Sequence, residues 1–181
     1  QTCALPISLA GPYFVDWTAQ RDLIEAQIER AVGANVATRG AIDLKLLPTP
    51  RLVLDGIETH GPGFSLRSGQ VALELAIAPL TRGEFRFTEA AFDRPDIEMR
   101  LGEAGAIAFP RPSGSLPEEV RFEKIVVRNG RLRIVGQAPL ELAGLDLEAE
   151  ATSILGPFRG AGSVVAAGAR IGFRFTTGAV E

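Results

Sequence analysis

A pattern of alternating apolar residues occurs twice in this chain, 35 positions apart, and it limits the possible folds more than any other feature. Residues 85–99 and 120–134 are the two copies. Apolar side chains occupy positions 85, 87, 90, 92, 97 and 99 in the first copy and 120, 122, 125, 127, 132 and 134 in the second. A spacing of two positions is the period of a β-strand. Each copy therefore predicts a two-strand unit with one apolar face, and their recurrence predicts a long, continuous sheet rather than a compact enzyme.

One irregularity interrupts both copies in the same place. The apolar positions step by three from Phe87 to Ala90 and from Phe122 to Ile125. A slip of one residue is what a β-bulge absorbs, so a bulge is expected at each step. Pro95 and the residue 35 positions later, a glycine, occupy the slot in which a turn precedes the next strand.

Before the repeats, the spacing of apolar residues predicts one helix. Asp16 can cap a helix from Trp17 to about Val32, with charged residues such as Glu25 and Glu29 on the face away from the apolar stripe. From residue 36 onward the period of two dominates. The predicted fold class is mainly β with an N-terminal α-helix, the β part being a twisted, curved antiparallel sheet that forms an open groove or is folded over on itself.

The chain divides into four segments on this interpretation. Residues 1–8 back-translate into a sequencing-adapter end and are interpreted as a library scar. Residues 9–15 are interpreted as the remnant of a truncated membrane anchor, although packing under the helix would account for their apolar character equally well. Residues 16–33 form the amphipathic helix, and residues 34–181 form a β-groove domain that is expected to be truncated at its C-terminus.

Composition and motifs argue against catalysis and nucleic-acid binding. The net charge is −3, and Lys and Arg are scattered rather than arranged in a basic stripe. The single histidine, His60, and the single cysteine, Cys3, cannot supply a zinc site. Glu118 and Glu119 are adjacent, so on a strand they point to opposite faces and cannot act as a paired acid and base. We therefore predict no catalytic, cofactor-binding or metal-binding residues, no cofactor, and no enzymatic activity.

The apolar strand face raises the functional question, and two interpretations of it are open. Such alternation most often means that the face is buried in a sandwich core. The alternative is a curved sheet whose apolar face is covered by lipid acyl chains, which is favoured by the lack of a second amphipathic layer besides the helix. The residues predicted to line that groove are Leu52, Leu54, Val71, Leu73, Leu75, Phe85, Phe87, Val120, Phe122, Leu132 and Ile134.

Several segments resemble the N-terminal region of the AsmA family. They are Phe14-Val15-Asp16-Trp17 before the helix, Leu47-Pro48-Thr49-Pro50-Arg51, Ala78-Pro79-Leu80-Thr81-Arg82-Gly83, and the Asp93-Arg94-Pro95 and Arg128-Asn129-Gly130 turns. The resemblance covers about residues 12–160. Family members are large proteins of the Gram-negative envelope, held in the inner membrane by one N-terminal helix, with the bulk in the periplasm. This chain departs from the family in lacking the anchor helix and most of the length.

The resemblance implies an inner-membrane-anchored periplasmic protein that binds or conducts phospholipid along an apolar β-groove and supports outer-membrane biogenesis. Its expected partners are membrane phospholipid, the bacterial inner membrane through an anchor absent from this chain, and other envelope proteins; nucleic acid is not among them. The alternative is a periplasmic structural or assembly factor that binds outer-membrane proteins by β-augmentation at an open sheet edge, which we expect at residues 169–177. A carbohydrate-active sandwich is disfavoured, because the only Trp and Tyr precede the sheet.

Overall fold

The computed structural model describes residues 17–32, 34–45, 49–80, 87–101, 123–136, 139–151, 157–166 and 168–177. A short 3-10 turn (Trp17–Gln20) leads into helix α1 (Arg21–Val32), and a one-turn helix α2 (Ile77–Leu80) lies between the fourth and fifth strands. The strands are β1 (Asn35–Thr38), β2 (Ile42–Lys45), β3 (Arg51–Gly61), β4 (Phe64–Leu75), β5 (Phe87–Asp93), β6 (Asp96–Arg100), β7 (Lys124–Val135), β8 (Leu140–Ala151), β9 (Phe158–Ala166) and β10 (Ala169–Thr176).

All ten strands belong to one sheet. Its order is β1-β3-β4-β5-β7-β8-β9-β10, with β2 beside β3 and with β6 between β4 and β7. The prediction of a mainly β fold with one N-terminal helix is confirmed. The sheet is mixed rather than antiparallel throughout, because β7 runs parallel to both β5 and β6. Parallel neighbours need a crossover connection of a dozen or more residues, and the chain between Arg100 and Lys124 has that length.

The two copies of the sequence repeat lie side by side at this parallel junction. Every residue of β5 and β6 that pairs with β7 has its partner 35 positions later in the chain, as Glu89 does with Lys124 and Met99 with Ile134. Residues directly opposite each other on neighbouring strands share one face of the sheet. Corresponding residues of the two copies therefore lie side by side, and the apolar positions of one copy continue those of the other across the sheet.

A line of left-handed backbone residues crosses the sheet, and we call it the crease. Gly56 in β3 (φ 64°), Arg94 between β5 and β6 (φ 47°), Asn129 in β7 (φ 50°) and Gly144 in β8 (φ 57°) lie at matching levels of their strands. Glycine and asparagine accept this conformation readily, whereas arginine does so rarely. At the crease the alternation slips by one residue, so that apolar side chains on both sides of it stay on the same face.

The crease corrects one sequence prediction. The slot at Pro95 and Gly130 does not reverse the chain: Gly130 lies inside β7, which runs unbroken from Lys124 to Val135. The second repeat copy is thus one long, kinked strand, in which the left-handed Asn129 is absorbed as a bulge against β8. The first copy is divided at Arg94 and Pro95 into β5 and β6, which continue in the same direction beside β7. The bulge expected after Phe87 is confirmed, because Leu75 pairs with Phe87 while Glu74 pairs with Glu89. The second expected bulge begins at Phe122, outside the described residues.

One aspartate at the crease binds groups from two other strands. The carboxylate of Asp146 in β8 accepts hydrogen bonds from the backbone N–H of Asn129 (2.9 Å) and from the guanidinium of Arg170 (3.1 Å). These two hydrogen bonds, that from Asn129 first, hold the pKa of Asp146 below its ordinary value of 3.8. The carboxylate therefore connects β7, β8 and β10 at this level.

The helix packs on the sheet near its β1 end. Trp17, Ile24 and Ile28 contact a buried cluster that comprises Val36, Ile42, Leu54, Ile57, Val71, Leu73 and Ala90. Two glutamates on the charged side of α1 contact β1. Glu25 accepts hydrogen bonds from the N–H of Thr38 (2.5 Å) and from its hydroxyl (2.6 Å), and Glu29 accepts one from the N–H of Val36 (3.0 Å). The helix therefore covers the free edge of β1 with charged side chains.

Candidate functional site

Two rows of apolar side chains cross the sheet on one side of the crease. Successive cross-strand partners in the first row are Ile42, Leu54, Val71, Phe92, Val127 and Leu147, and in the second Leu44, Leu52, Leu73, Ala90, Ile125 and Ala149. Because cross-strand partners lie on the same face, each row is a continuous apolar line across six strands. We call the face that carries these rows the apolar face.

Two further rows lie beyond the crease. Their cross-strand partners are Leu66, Ile97, Leu132 and Leu142 in one row, and Phe64, Met99, Ile134 and Leu140 in the other. Leu66 packs against the same buried cluster as Phe92, and Leu132 packs against the same cluster as Leu147. These contacts show that the rows on both sides of the crease share the apolar face.

The structure brings most of the predicted groove residues together. Leu52, Leu54, Val71, Leu73, Leu75, Phe87, Leu132 and Ile134 all lie on the apolar face. Phe85, Val120 and Phe122 lie outside the described residues. The predicted groove omitted other residues of this face, namely Ile125, which the repeat had already marked as apolar, and Leu142, Leu147 and Phe173. Their strands alternate visibly in the sequence, but which side of each strand joins the rows depends on register, which alternation alone does not give.

The apolar face is closed at one end. Leu54, Val71, Leu73 and Leu75 are buried, and the first three belong to the cluster on which the helix packs. Side chains in such a position form a core and have no open surface to offer. The helix and the preceding 3-10 turn therefore convert the β1–β5 part of the face into a conventional hydrophobic core.

The β7–β10 part of the apolar face has a different environment, and we call it the open half. Val127, Leu145 and Val164 form a second cluster, surrounded by Phe92, Leu132, Leu142, Leu147 and Phe173. Every one of these residues is in the sheet itself; within the described ranges no helix residue packs on this cluster. Most of the surrounding side chains are only half-buried, and Leu140 is 47% exposed and Ile171 50% exposed.

Aromatic rings extend the open half to the last strand. Phe173 and Phe175 of β10 lie against Gly162 and Gly160 of β9, their cross-strand partners. A Cβ atom built on Gly162 would sit 2.9 Å from Cζ of Phe173, and one on Gly160 would sit 2.7 Å from Cε1 of Phe175. Only glycine fits under such rings, which fill the space that a side chain would take. The rows therefore continue across β9 as aromatic surface.

The opposite face of the sheet is polar and carries cross-strand ion pairs. Lys124 contacts Glu148 (2.8 Å), Arg133 contacts Glu98 (3.2 Å), and Arg51 contacts Glu74. The hydrogen bond with Glu148 raises the pKa of Lys124, mainly because it stabilises the charged ammonium. Exposed pairs of this kind contribute little to stability. Their main consequence is that one face of the sheet is suited to water and the other is not.

The described residues offer no cluster of side chains suited to a metal ion, because no three His, Cys, Asp or Glu side chains among them lie together as such a site would require. His60 is exposed at the end of β3, beside the turn to β4. Its surroundings form a shallow depression of about 300 Å³ with Ser65, Glu98 and Arg100. The contrast between the apolar face and the polar face of the sheet says more about function than the surroundings of His60 do.

Comparisons with known proteins neither support nor oppose the resemblance suggested by the sequence. No protein-family model matches the chain, and no curated protein matches it. None of the helices in the part of the chain that the structure describes is long and apolar enough to cross a membrane. Membership of the AsmA family therefore stays a prediction that rests on the sequence segments alone.

Proposed function

We propose that this protein binds the acyl chains of phospholipid on the open half of its apolar face and conducts lipid along it. The observation that carries the proposal is a set of continuous apolar rows across β7–β10 that no described helix covers. Val127, Leu145 and Val164 are buried among half-buried apolar side chains, and contiguous apolar surface that a folded protein leaves accessible marks a binding site for a membrane component or a protein partner. Such a function needs no acid, base or cofactor, because the lipid is moved and not changed.

The dimensions of the rows suit an acyl chain. Neighbouring strands lie about 4.8 Å apart, so the four intervals from β5 to β10 in the order β5-β7-β8-β9-β10 span roughly 19 Å. One leaflet of a bilayer contains about 15 Å of hydrocarbon, half of the ~30 Å core. A chain lying along a row would thus find apolar contact over its whole length, and burial stabilises it by about 0.8 kcal/mol per CH₂ group.

The sandwich interpretation needs a second layer that faces the open half. Among the described residues, those that pack on the second cluster come from adjacent strands of the sheet, β5 and β7–β10, and not from an opposing layer. The only described layer is α1 with its 3-10 turn, and that layer packs at the β1 end. This asymmetry, closed at one end and open at the other, favours an exchangeable occupant such as lipid over a permanent core.

In this proposal the protein works in the Gram-negative envelope. An anchor outside this chain would hold it at the inner membrane, with the sheet in the periplasm, where phospholipid traffic supports biogenesis of the outer membrane. The support for this setting is the resemblance to the AsmA family, carried by Leu47-Pro48-Thr49-Pro50-Arg51 and the other segments quoted above.

Lipid capture from vesicles tests the proposal. The full chain, purified without detergent, would be incubated with phosphatidylethanolamine–phosphatidylglycerol vesicles, separated by size exclusion, and analysed for bound lipid by mass spectrometry. We expect about one phospholipid per one or two protein molecules. A lipid leaves the bilayer only if most of its CH₂ groups are buried again on the apolar rows of the protein. Glycerophosphoethanolamine, which has the headgroup and no acyl chains, should not compete. A folded protein that recovers no lipid would contradict the proposal.

A further inference from the structure

The outer edge of β10 is unpaired among the described strands. β10 pairs with β9 on one side, and no other described strand lies beside it. Thr177 donates its backbone N–H to the carbonyl of Phe158 (2.8 Å), so the odd-numbered residues of β10 bond to β9. Because hydrogen-bonding direction alternates along an antiparallel strand, the N–H and C=O groups of Arg170, Gly172 and Arg174 point outward.

At the other edge of the sheet, β1 is protected. Arg21 donates to the carbonyl oxygens of Thr38 and Gly40 (2.7 Å for the latter), and two glutamates of α1 accept the N–H groups of β1 described above. Unprotected edges are a liability that proteins usually cover. A protein that covers one edge with charged side chains and leaves the other available has one edge suited to a partner strand.

Charges of one sign are grouped by strand on the polar face. β6 carries Glu98 opposite Arg133 of β7, and β7 faces acidic residues of β8 across ion pairs such as Lys124 with Glu148 (2.8 Å). β9 and β10 are basic again, with Arg159, Arg170 and Arg174 on this face. The polar face is thus acidic in β6, basic in β7, acidic in β8 and basic in both β9 and β10, so an acidic strand beside β10 would bring opposite charges together.

β10 also repeats the residue pattern of β7. Gly130-Arg131-Leu132-Arg133-Ile134 and Ala169-Arg170-Ile171-Gly172-Phe173-Arg174-Phe175 both place arginines on the polar face and large apolar residues on the apolar face. The protein itself shows which strand such a pattern accepts: β8 lies antiparallel to β7, with Glu141 opposite Arg133 and Glu150 opposite Lys124. Arg170 is already paired with Asp146, whereas no described residue forms an ion pair with Arg174.

We propose that the β10 edge binds, in antiparallel register, an extended polypeptide segment that is apolar on one face and carries carboxylates spaced two or four residues apart on the other. Backbone hydrogen bonds would supply affinity, and the arginines would select acidic partners. A second copy of β10 fits less well, because antiparallel self-pairing would bring Arg170 and Arg174 of both copies onto one small polar patch. This inference does not depend on lipid binding.

A peptide copied from β8 provides the probe. The capped heptapeptide Leu-Asp-Leu-Glu-Ala-Glu-Ala, the sequence of residues 145–151, would be labelled with a fluorophore and titrated with the full chain by fluorescence anisotropy. We expect it to bind at least fivefold more tightly than the same peptide with Asn and Gln in place of Asp and Glu, because opposite charges across neighbouring strands attract. A version with lysine at those three positions should bind more weakly still.

Three variants locate the site. Arg174→Glu should reverse the preference, so that the lysine peptide binds more tightly than the acidic one. Gly172→Pro should weaken binding at least tenfold by removing an outward N–H group, and a Cβ at this position meets no atom closer than 3.9 Å. Lys45→Glu, the same charge change in β2, should alter nothing. Equal binding of all three peptides, no binding of any, or a concentration-dependent dimer that Gly172→Pro abolishes would overturn the proposal.

Discussion

Replacing Leu54 by alanine is expected to lower the free energy of unfolding by about 3–4 kcal/mol, a loss typical of a leucine removed from a well-packed core. Leu54 is fully buried (0% exposed), and its cross-strand partners Ile42 and Val71 belong to the same cluster. Trp17, Ile24 and Ile28 close the cluster from the helix side, so the cavity left by the substitution has little room to collapse. Urea unfolding followed by far-UV circular dichroism measures the change.

Leu140→Ala is the matched control for this prediction. Leu140 lies on the same apolar face but in the open half, where it is 47% exposed. Its truncation removes the same atoms from a site that buries them only in part, and a loss below about 1 kcal/mol is expected. Similar losses at the two positions would contradict the division of the apolar face into a closed core and an open half.

The second large effect concerns lipid binding. Leu132→Glu should reduce the phospholipid recovered from vesicles at least tenfold, because a carboxylate among acyl chains must either lose its hydration or become protonated. Leu132 is half-buried in the open half and packs against the cluster of Val127, Leu145 and Val164. The measurement is the mass-spectrometric lipid assay, with circular dichroism confirming that the variant is folded.

Val135→Glu provides the control within the same strand. Val135 is three residues further along β7, 37% exposed, and lies on the polar face opposite Arg100. The substitution makes the same change from an apolar side chain to a carboxylate, yet it places the charge in water beside a cation. We expect lipid recovery equal to that of the unmodified protein. Equal loss from both variants would show that the charge acts through stability or net charge and not through the apolar face.

The repeat and the apolar positions could be predicted because both are patterns of residue type along the sequence. An offset of 35 residues between Phe87 and Phe122 is visible in the sequence, and the structure turns the same offset into the register of neighbouring parallel strands. Alternation likewise identified Leu132 and Ile134 as members of one face. The phase slip after Phe87 was sufficient to predict a bulge, since only one residue had to be absorbed.

Features that depend on distant parts of the chain could not be predicted in this way. A proline or a glycine, as at Pro95 and Gly130, is compatible with either a turn or a bulge. Gly130 lies in a bulge because β7 pairs with β8 on both sides of it. Strand direction depends on the connection, so the parallel junction was missed. Glu25 and Glu29 have the spacing of a solvent-facing helix side. They accept hydrogen bonds from backbone N–H groups of β1 only because that strand lies beside the helix.

Photocrosslinking from adjacent residues of β8 tests the central claim most directly. Leu147 lies on the apolar face in the open half, and Glu148 next to it lies on the polar face, paired with Lys124. A benzophenone amino acid would replace each in turn, and the folded proteins would be irradiated with phospholipid vesicles. The account predicts a phospholipid adduct from position 147 and none from position 148. Adducts of equal yield from both positions, or none from position 147, would contradict it.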